Sequence, residues 1–292
     1  MKSYSQYLES FFPGVKVQKI SINAGFSCPN RDGTIGKGGC SYCRNDSFSP
    51  SYCDPSLSIA QQLEEGKNFF ARKYPSMKYL AYFQSYTNTY SPDLNKLSQI
   101  YLTALNEEGI VGLVIGTRPD TLPDDTLELL SELNKLKPVF LEIGAETSFD
   151  ETLVKINRHH SWNDVVDATE RAMKRNLHCG LHLIAGLPGE SCEMILTTVK
   201  KTVNLPIETL KLHQLQILHG TPLFEEWKSG TSEIKPFTLH DYLNLCREIV
   251  SIVPENIVIE RFLAQSPPEL VAAPKWGLKN YQFMNLLNNL LK

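Results

Sequence analysis

The sequence has no apolar run approaching the roughly 18 residues that a membrane span needs, and Met1 to Phe12 carry polar residues throughout, with no signal-type apolar core. These absences predict a cytoplasmic protein that does not enter a membrane. No excess of one charge exists either. The 29 Lys+Arg stand against 32 Asp+Glu, a net charge of -3, which excludes a histone-like polycation and gives no bulk attraction for nucleic acid. No internal repeat, low-complexity stretch or long linker breaks the 292 residues. The simplest organisation is one core, residues 1–237, with a helix, strand and tail, residues 238–292, packed on it. A disulfide framework is also missing. The seven cysteines are odd in number, and Cys28, Cys40 and Cys43 crowd into sixteen positions, a pattern that in a reducing compartment favours a metal.

What is present is a rhythm of short apolar runs and longer amphipathic ones, repeated six times, which predicts βα units. Strands are expected at Lys16–Asn23, Lys78–Gln84, Gly112–Thr117, Val139–Gly144, His178–Ile184 and Thr209–Gln216. Helices are expected at Leu57–Lys73, Asp93–Glu108, Asp124–Lys135, Trp162–Asn176, Cys192–Val203 and Leu239–Val253. One further strand is expected at Asn256–Phe262, then a proline-rich loop and an amphipathic tail around Tyr281–Leu291. The strand interiors choose between an open doubly wound sheet and a barrel. Strands sandwiched between helix layers are apolar on both faces, yet Gln84, Glu142, His182, Lys211 and His213 alternate here with leucines and other apolar residues. With a side-chain period of two, the apolar set faces helices and the five polar groups face a lumen. The expected fold is α/β, a partial (β/α)6 TIM-like barrel with a short C-terminal extension.

Directly after the first strand, Gly25 to Cys43 holds the three cysteines in the spacing C-x11-C-x2-C among five glycines, which let backbone fold tightly and point N–H groups inward. Three thiolates are one short of the usual four around a structural zinc or a 4Fe-4S cluster. In one reading Cys53 is the fourth ligand of a closed zinc or cluster site. In the other, three cysteines hold a 4Fe-4S cluster whose remaining iron binds a small molecule. The loop's place at the C-terminal end of a barrel strand, where barrel enzymes put their chemistry, favours the open site.

Several stretches in order resemble the radical S-adenosylmethionine (SAM) superfamily, its Elongator-catalytic-subunit-like branch and, within it, the YhcC/YtqA (MnmL)-type family. They are Gly25–Gly33 with Thr34, Gly38–Cys43, Tyr82–Tyr90, Gly116-Thr117-Arg118-Pro119-Asp120, Glu142–Thr147, Ile156-Asn157-Arg158 and Gly186–Glu190. The resemblance implies that Cys28, Cys40 and Cys43 ligate a 4Fe-4S cluster, with Tyr42 beside it. SAM would bind the open iron and yield a 5′-deoxyadenosyl radical after one-electron reduction by a partner such as flavodoxin or ferredoxin. Where the superfamily commonly has a glycine-rich segment after strand two, this chain has Gln84-Ser85-Tyr86-Thr87-Asn88-Thr89, so Gln84, Thr87 and Asn88 become candidates for holding SAM. Glu146 is placed for the ribose, Arg158 for the carboxylate, and Gly186 and Pro188 for a turn against adenine. Glu142, His182 and Lys211 are the candidates for catalysis.

The four leftover cysteines form no second close pair, so no auxiliary cluster is expected; Cys179 reads as core and Cys53 is the one to test. Neither acetyl-CoA chemistry of the Elongator catalytic subunits nor methylthiolation is expected from a sequence of this length. The branch implies tRNA as partner, not DNA, and modification of the C5 side chain of the wobble uridine, from carboxymethylaminomethyl to aminomethyl. Lys16, Lys19, Arg31, Lys37 and Arg44 around the loop, and Lys275, Trp276, Lys279 and Tyr281 in the tail, are the expected RNA contacts. The rivals are a radical SAM enzyme acting on a small metabolite or peptide, and a zinc-stapled RNA-binding protein without catalysis.

Overall fold

Alternation along the strands becomes two faces of one curled sheet in the structure, a computed structural model that describes residues 2–71 and 76–292. The strands are β1 (Val17–Ile22), β2 (Lys78–Phe83), β3 (Ile110–Thr117), β4 (Val139–Glu146), β5 (His178–Ala185), β6 (Thr209–Gln214), β7 (Ile217–Leu218), β8 (Val258–Arg261) and β9 (Val271–Ala273). All are parallel in the main sheet, in the order β1-β2-β3-β4-β5-β6-β8, while β7 and β9 pair antiparallel apart from it. The helices are α1 (Tyr4–Glu9), α2 (Ile59–Ala71), α3 (Leu94–Asn106), α4 (Asp124–Leu136), α5 (Asp150–Lys155), α6 (Trp162–Met173), α7 (Cys192–Thr202), α8 (Pro222–Ser229), α9 (Leu239–Ile252) and α10 (Asn280–Leu290). No helix among the described residues is long and apolar enough to cross a membrane.

The expected partial barrel is present, with the strand foreseen at 256–262 joined to β6 as a seventh. Its curl is shown across the lumen: Lys19 on edge strand β1 reaches Glu260 on the other edge strand, β8, at 2.8 Å. The convex face buries Ile20, Phe83, Ile115, Leu141, Leu181 and Leu212 under the helices, each such side chain contributing roughly 1.5–3 kcal/mol. Inside the lumen the groups lie in layers. Leu80, Val114, Phe140 and Val258 close the lower end with Tyr7 and Leu8 of α1 as a plug. Above them stand Lys19, Tyr82, Glu142, Lys211 and Glu260, and above those the wall opens into a cavity of about 660 Å³ that all five predicted lumen groups, Gln84, Glu142, His182, Lys211 and His213, help to line.

Helix starts follow their caps. Asp93 accepts from the N–H groups of Asn95 and Lys96 at the head of α3, and Ser161 with Asp164 forms a capping box on α6. The sequence pattern gave no sign of α1, α5 or α8, which are only six to eight residues long. Residues 72 and 73, the end expected for the second helix, lie outside the described residues.

Candidate active site

The cysteine loop is built by glycine and clasped by a second segment. Gly39 has φ +85°, and a Cβ there would stand 2.7 Å from Arg31 Nε, so the guanidinium fits only over glycine; its Nη2 donates to the Cys43 carbonyl at 2.9 Å. From across the mouth, Ile156 accepts from Ser41 N, Asn157 Nδ2 donates to the Gly39 carbonyl at 2.8 Å, and Asn30 Nδ2 returns a bond to the Asn157 carbonyl at 2.6 Å. The Ile156-Asn157-Arg158 stretch thus fixes the loop over the strand ends.

Cys28 and Cys40 are buried, Cys43 is half-buried, none is in a disulfide, and all three line the cavity. Asn30 Nδ2 and Arg158 Nη1 each approach Cys40 Sγ at 3.5 Å, donors suited to a sulfur that carries negative charge. Burial, and after it the neighbouring Cys40, pushes the Cys43 thiol up to about 11, so metal binding there must displace a proton. Among the described residues no three His, Cys, Asp or Glu side chains are grouped to hold one metal ion. Three free cysteines on one loop facing the cavity are the donor set that would suit an iron–sulfur cluster. Cys53 is buried apart from the others, its thiol donating to the Ser21 carbonyl at 3.0 Å and pushed up to about 12 by burial.

Beside the loop, β4 ends in an irregularity. Its register shifts between Gly144 and Glu146, and Glu146 sits at φ +65°, a left-handed conformation that costs a non-glycine residue of the order of 1 kcal/mol. That geometry turns a buried carboxylate into the cavity, with Oε1 3.1 Å from Arg158 Nη2 and Oε2 making no hydrogen bond. His182 Nδ1 is 3.4 Å away, and His182 Nε2 meets His213 Nδ1 at 2.9 Å. Burial holds His182 down to about 4 and His213 well below its usual value, so both rings are neutral. Arg158 Nη2 also donates to the Gly144 carbonyl, and the Arg158 carbonyl accepts from Arg118, whose own Nη1 is buried without a partner. Open donors and acceptors facing one cavity are what a polar, partly charged ligand such as SAM requires.

Of the other expected SAM contacts, Tyr42, Gln84 and Thr87 line the cavity, Gln84 accepting from Ser21 Oγ and Thr87 N tying the loop through the Ser27 carbonyl. Asn88, Gly186 and Pro188 are not in the cavity wall. The Asn88 amide is spent on the Phe83 and Gly116 carbonyls, a staple behind the wall, and Gly186 turns at φ +90° against Phe237. Glu142 and Lys211 stand on the floor inside a closed ion network. Lys19 Nζ and Lys211 Nζ lie 2.5 Å from opposite oxygens of Glu142, both reach Glu260, and Tyr82 donates to Glu142 at 2.6 Å.

The wall carries seven cationic side chains and three carboxylates, on a chain whose net charge is -3. Arg118, Glu260 and Arg261, none of which was singled out as a site residue, belong to it. Lys19, Arg31 and Arg44 of the expected basic set line it, whereas Lys16, Lys37, Lys275 and Lys279 do not, and Trp276 packs on Tyr242 among the outer helices. Phe48, Tyr52, Phe69, Phe70 and Tyr86 add an aromatic rim, with Phe69 68% exposed.

Residues 28–202 match the family model of the Radical SAM superfamily, and residues 207–292 that of the Radical_SAM C-terminal domain. Protein YhcC of Escherichia coli is 38% identical over 90% of this chain and 83% of its own length. A tRNA uridine(34) acetyltransferase of Methanocaldococcus infernus is 28% identical over 62% of this chain and 33% of its own. Among solved structures, the Elp3 of that archaeon, lacking its N-terminus, superposes with a TM-score of 0.67 at 20% identity, covering 95% of this chain and 63% of that one.

Proposed function

Since the chain belongs to the radical SAM superfamily, in its Elongator-like, YhcC-type branch, we propose that it remodels the C5 side chain of a tRNA wobble uridine, taking carboxymethylaminomethyl to aminomethyl. Members of the superfamily bind a 4Fe-4S cluster and SAM, which together supply a 5′-deoxyadenosyl radical when a partner protein donates an electron. Cys28, Cys40 and Cys43 are the residues to hold the cluster, and Asn30 and Arg158 direct N–H groups at Cys40. Arg158, Glu146, Gln84 and Thr87, with Tyr42 alongside, orient SAM in the mouth. Below them Lys19, Glu142, Lys211 and Glu260 form a rigid, charge-balanced floor that keeps the lower lumen closed to water. His182, neutral and bonded to His213, offers a ring nitrogen to ribose or substrate.

The observation that supports a tRNA substrate is the wall itself: cations outnumber carboxylates seven to three beneath an aromatic rim. Such a mouth suits an unstacked anticodon base and its phosphates, and a relative's name places its own action on uridine 34 of tRNA. The test is nucleoside mass spectrometry of tRNA from a strain lacking the gene. Carboxymethylaminomethyluridine should accumulate at the expense of the aminomethyl product. An unchanged wobble-uridine profile sinks the tRNA reading.

A further inference from the structure

The wall's cations are not equally neutralised. Lys19 and Lys211 share Glu142 and Glu260, Arg118 faces Asp120, Arg158 faces Glu146, and Arg44 faces Asp46. Arg31 is spent on the Cys43 carbonyl beside the cysteine loop. Arg261 alone has no anionic or carbonyl partner among the described residues, and its Nε is buried with no hydrogen bond. It is also the cross-strand neighbour of Lys211, and its charge reaches His213, His182 and Lys211, adding to the burial that already lowers all three. The Nε2 of His213 is likewise buried and without a partner. Arg261 is half-buried in the cavity wall, and a cation with a buried, unbonded Nε among other cations and neutral imidazoles is a place for an anion.

We propose that Arg261, with His213 beside it, anchors an oxyanion of the substrate, a carboxylate or a phosphate, in the lumen between β6 and β8. Two lines of structure separate this anchor from the cofactor end. Arg158 is bonded to β4 and to Cys40, whereas Arg261 stands three strands away, roughly 14 Å along the sheet at about 4.8 Å per strand. The register shift between Leu210 and Lys211 in the β6–β8 pairing lets the consecutive Glu260 and Arg261 both line the cavity, so that Glu260 serves the floor and Arg261 is left for a ligand. The guanidinium offers the planar, two-toothed donor face that fits carboxylate or phosphate oxygens. The inference rests on the radical reading above only for what the anion is attached to.

The first test does not use turnover. The full chain is labelled with ¹⁵N-histidine and titrated separately with acetate and with inorganic phosphate. The His213 ring signals should shift saturably, those of the exposed His240 should not, and R261Q should abolish the effect. R261K, which keeps the charge without the planar fork, should weaken it roughly tenfold. Response to acetate alone identifies a carboxylate site, response to phosphate alone a phosphate site, and no saturable shift of His213 in the unmodified protein overturns the proposal whether or not the variants fold. The second test uses the reconstituted enzyme and tRNA. R261Q should keep its tRNA-independent SAM cleavage while KM for tRNA rises at least tenfold. Anion binding at His213 in a protein that turns over no tRNA refutes the wobble-uridine reading and leaves the subsite standing. Normal turnover with an unchanged KM in R261Q overturns the subsite.

Discussion

Glu142→Gln probes the lumen floor. Glu142 receives Lys19 Nζ at 2.5 Å on one oxygen and Lys211 Nζ at 2.5 Å on the other, and the side chains of the quartet it forms with Glu260 are each 13% exposed or less. Two ammonium groups and two carboxylates balance. Glutamine keeps the shape and a hydrogen bond for Tyr82 but leaves both cations facing Glu260 alone. Removing one partner of a buried pair costs about 3–5 kcal/mol. At about 2 °C per kcal/mol for a chain of this size, Tm should fall by roughly 6–10 °C. Thermal and guanidinium unfolding of the cluster-free chain measure this, with both proteins in the same state of loading because a bound ligand adds its own stabilisation.

Glu142→Gln combined with Lys211→Met restores balance through Lys19 and Glu260, so the double variant should be more stable than the two single losses predict, by about 1–3 kcal/mol. The pH dependence has a definite sign. Burial pushes the Glu142 carboxyl up, but Lys19 and Lys211 together hold it well below the usual range. Its contribution is therefore full above the ordinary carboxylate pKa and is lost as pH falls through the lowered one. Lys211 gives a slope of the same sign in a higher pH window, because its pKa is lowered as well. Burial, with Lys19 and Arg261 adding to it, brings it down to about 8 against the pull of Glu142 and Glu260, so its share of stability rises with pH between that value and the ordinary lysine pKa. Without Glu142, that rise should begin at lower pH. A loss below about 1 kcal/mol with additive single variants refutes the account of a coupled buried network.

Two other sets of substitutions test the mouth. Cys28→Ala, Cys40→Ala and Cys43→Ala should each lose the acid-labile sulfide and the 5′-deoxyadenosine formed from SAM on reduction, while Cys53→Ala retains both; stoichiometric zinc without sulfide in the parent protein defeats the cluster reading. Gly144→Ala would place a Cβ 2.5 Å from Arg158 Nη2 and 2.7 Å from Glu146 Oε1, parting that pair. SAM affinity measured by calorimetry should drop about tenfold or more, and an unchanged affinity removes Arg158 and Glu146 from the SAM site.

The strand alternation carried the fold because a period of two separates lumen from helix layer without further information, and Gln84, Glu142, His182, Lys211 and His213 all fell on the predicted side. That rule has no purchase where backbone departs from regular pleat. Glu146 is delivered by a register shift and a left-handed φ, and Arg261 shares the lumen with its own neighbour Glu260 across another shift, so neither direction could be counted off the chain. Motif position misled in the complementary way for Asn88 and Gly186, whose residue types suit a ligand but whose amide and turn are used by the scaffold. α1 was invisible because a six-residue helix shows hardly two turns of pattern, yet it closes the lower lumen.

Net charge is the case in which an average hid the relevant quantity. The chain total of -3 is a sum over surface and interior, whereas recognition depends on what faces one cavity, and there the cations prevail seven to three. Most of that excess is already engaged by wall or floor groups, some of them outside the cavity, so its field is short in range. It cannot draw a polyanion from a distance, but it can hold an anionic group that has already entered. Capture of a long substrate must then come from the aromatic rim and the arginines beside the cysteine loop, Arg31 and Arg44, and discrimination from the unneutralised Arg261.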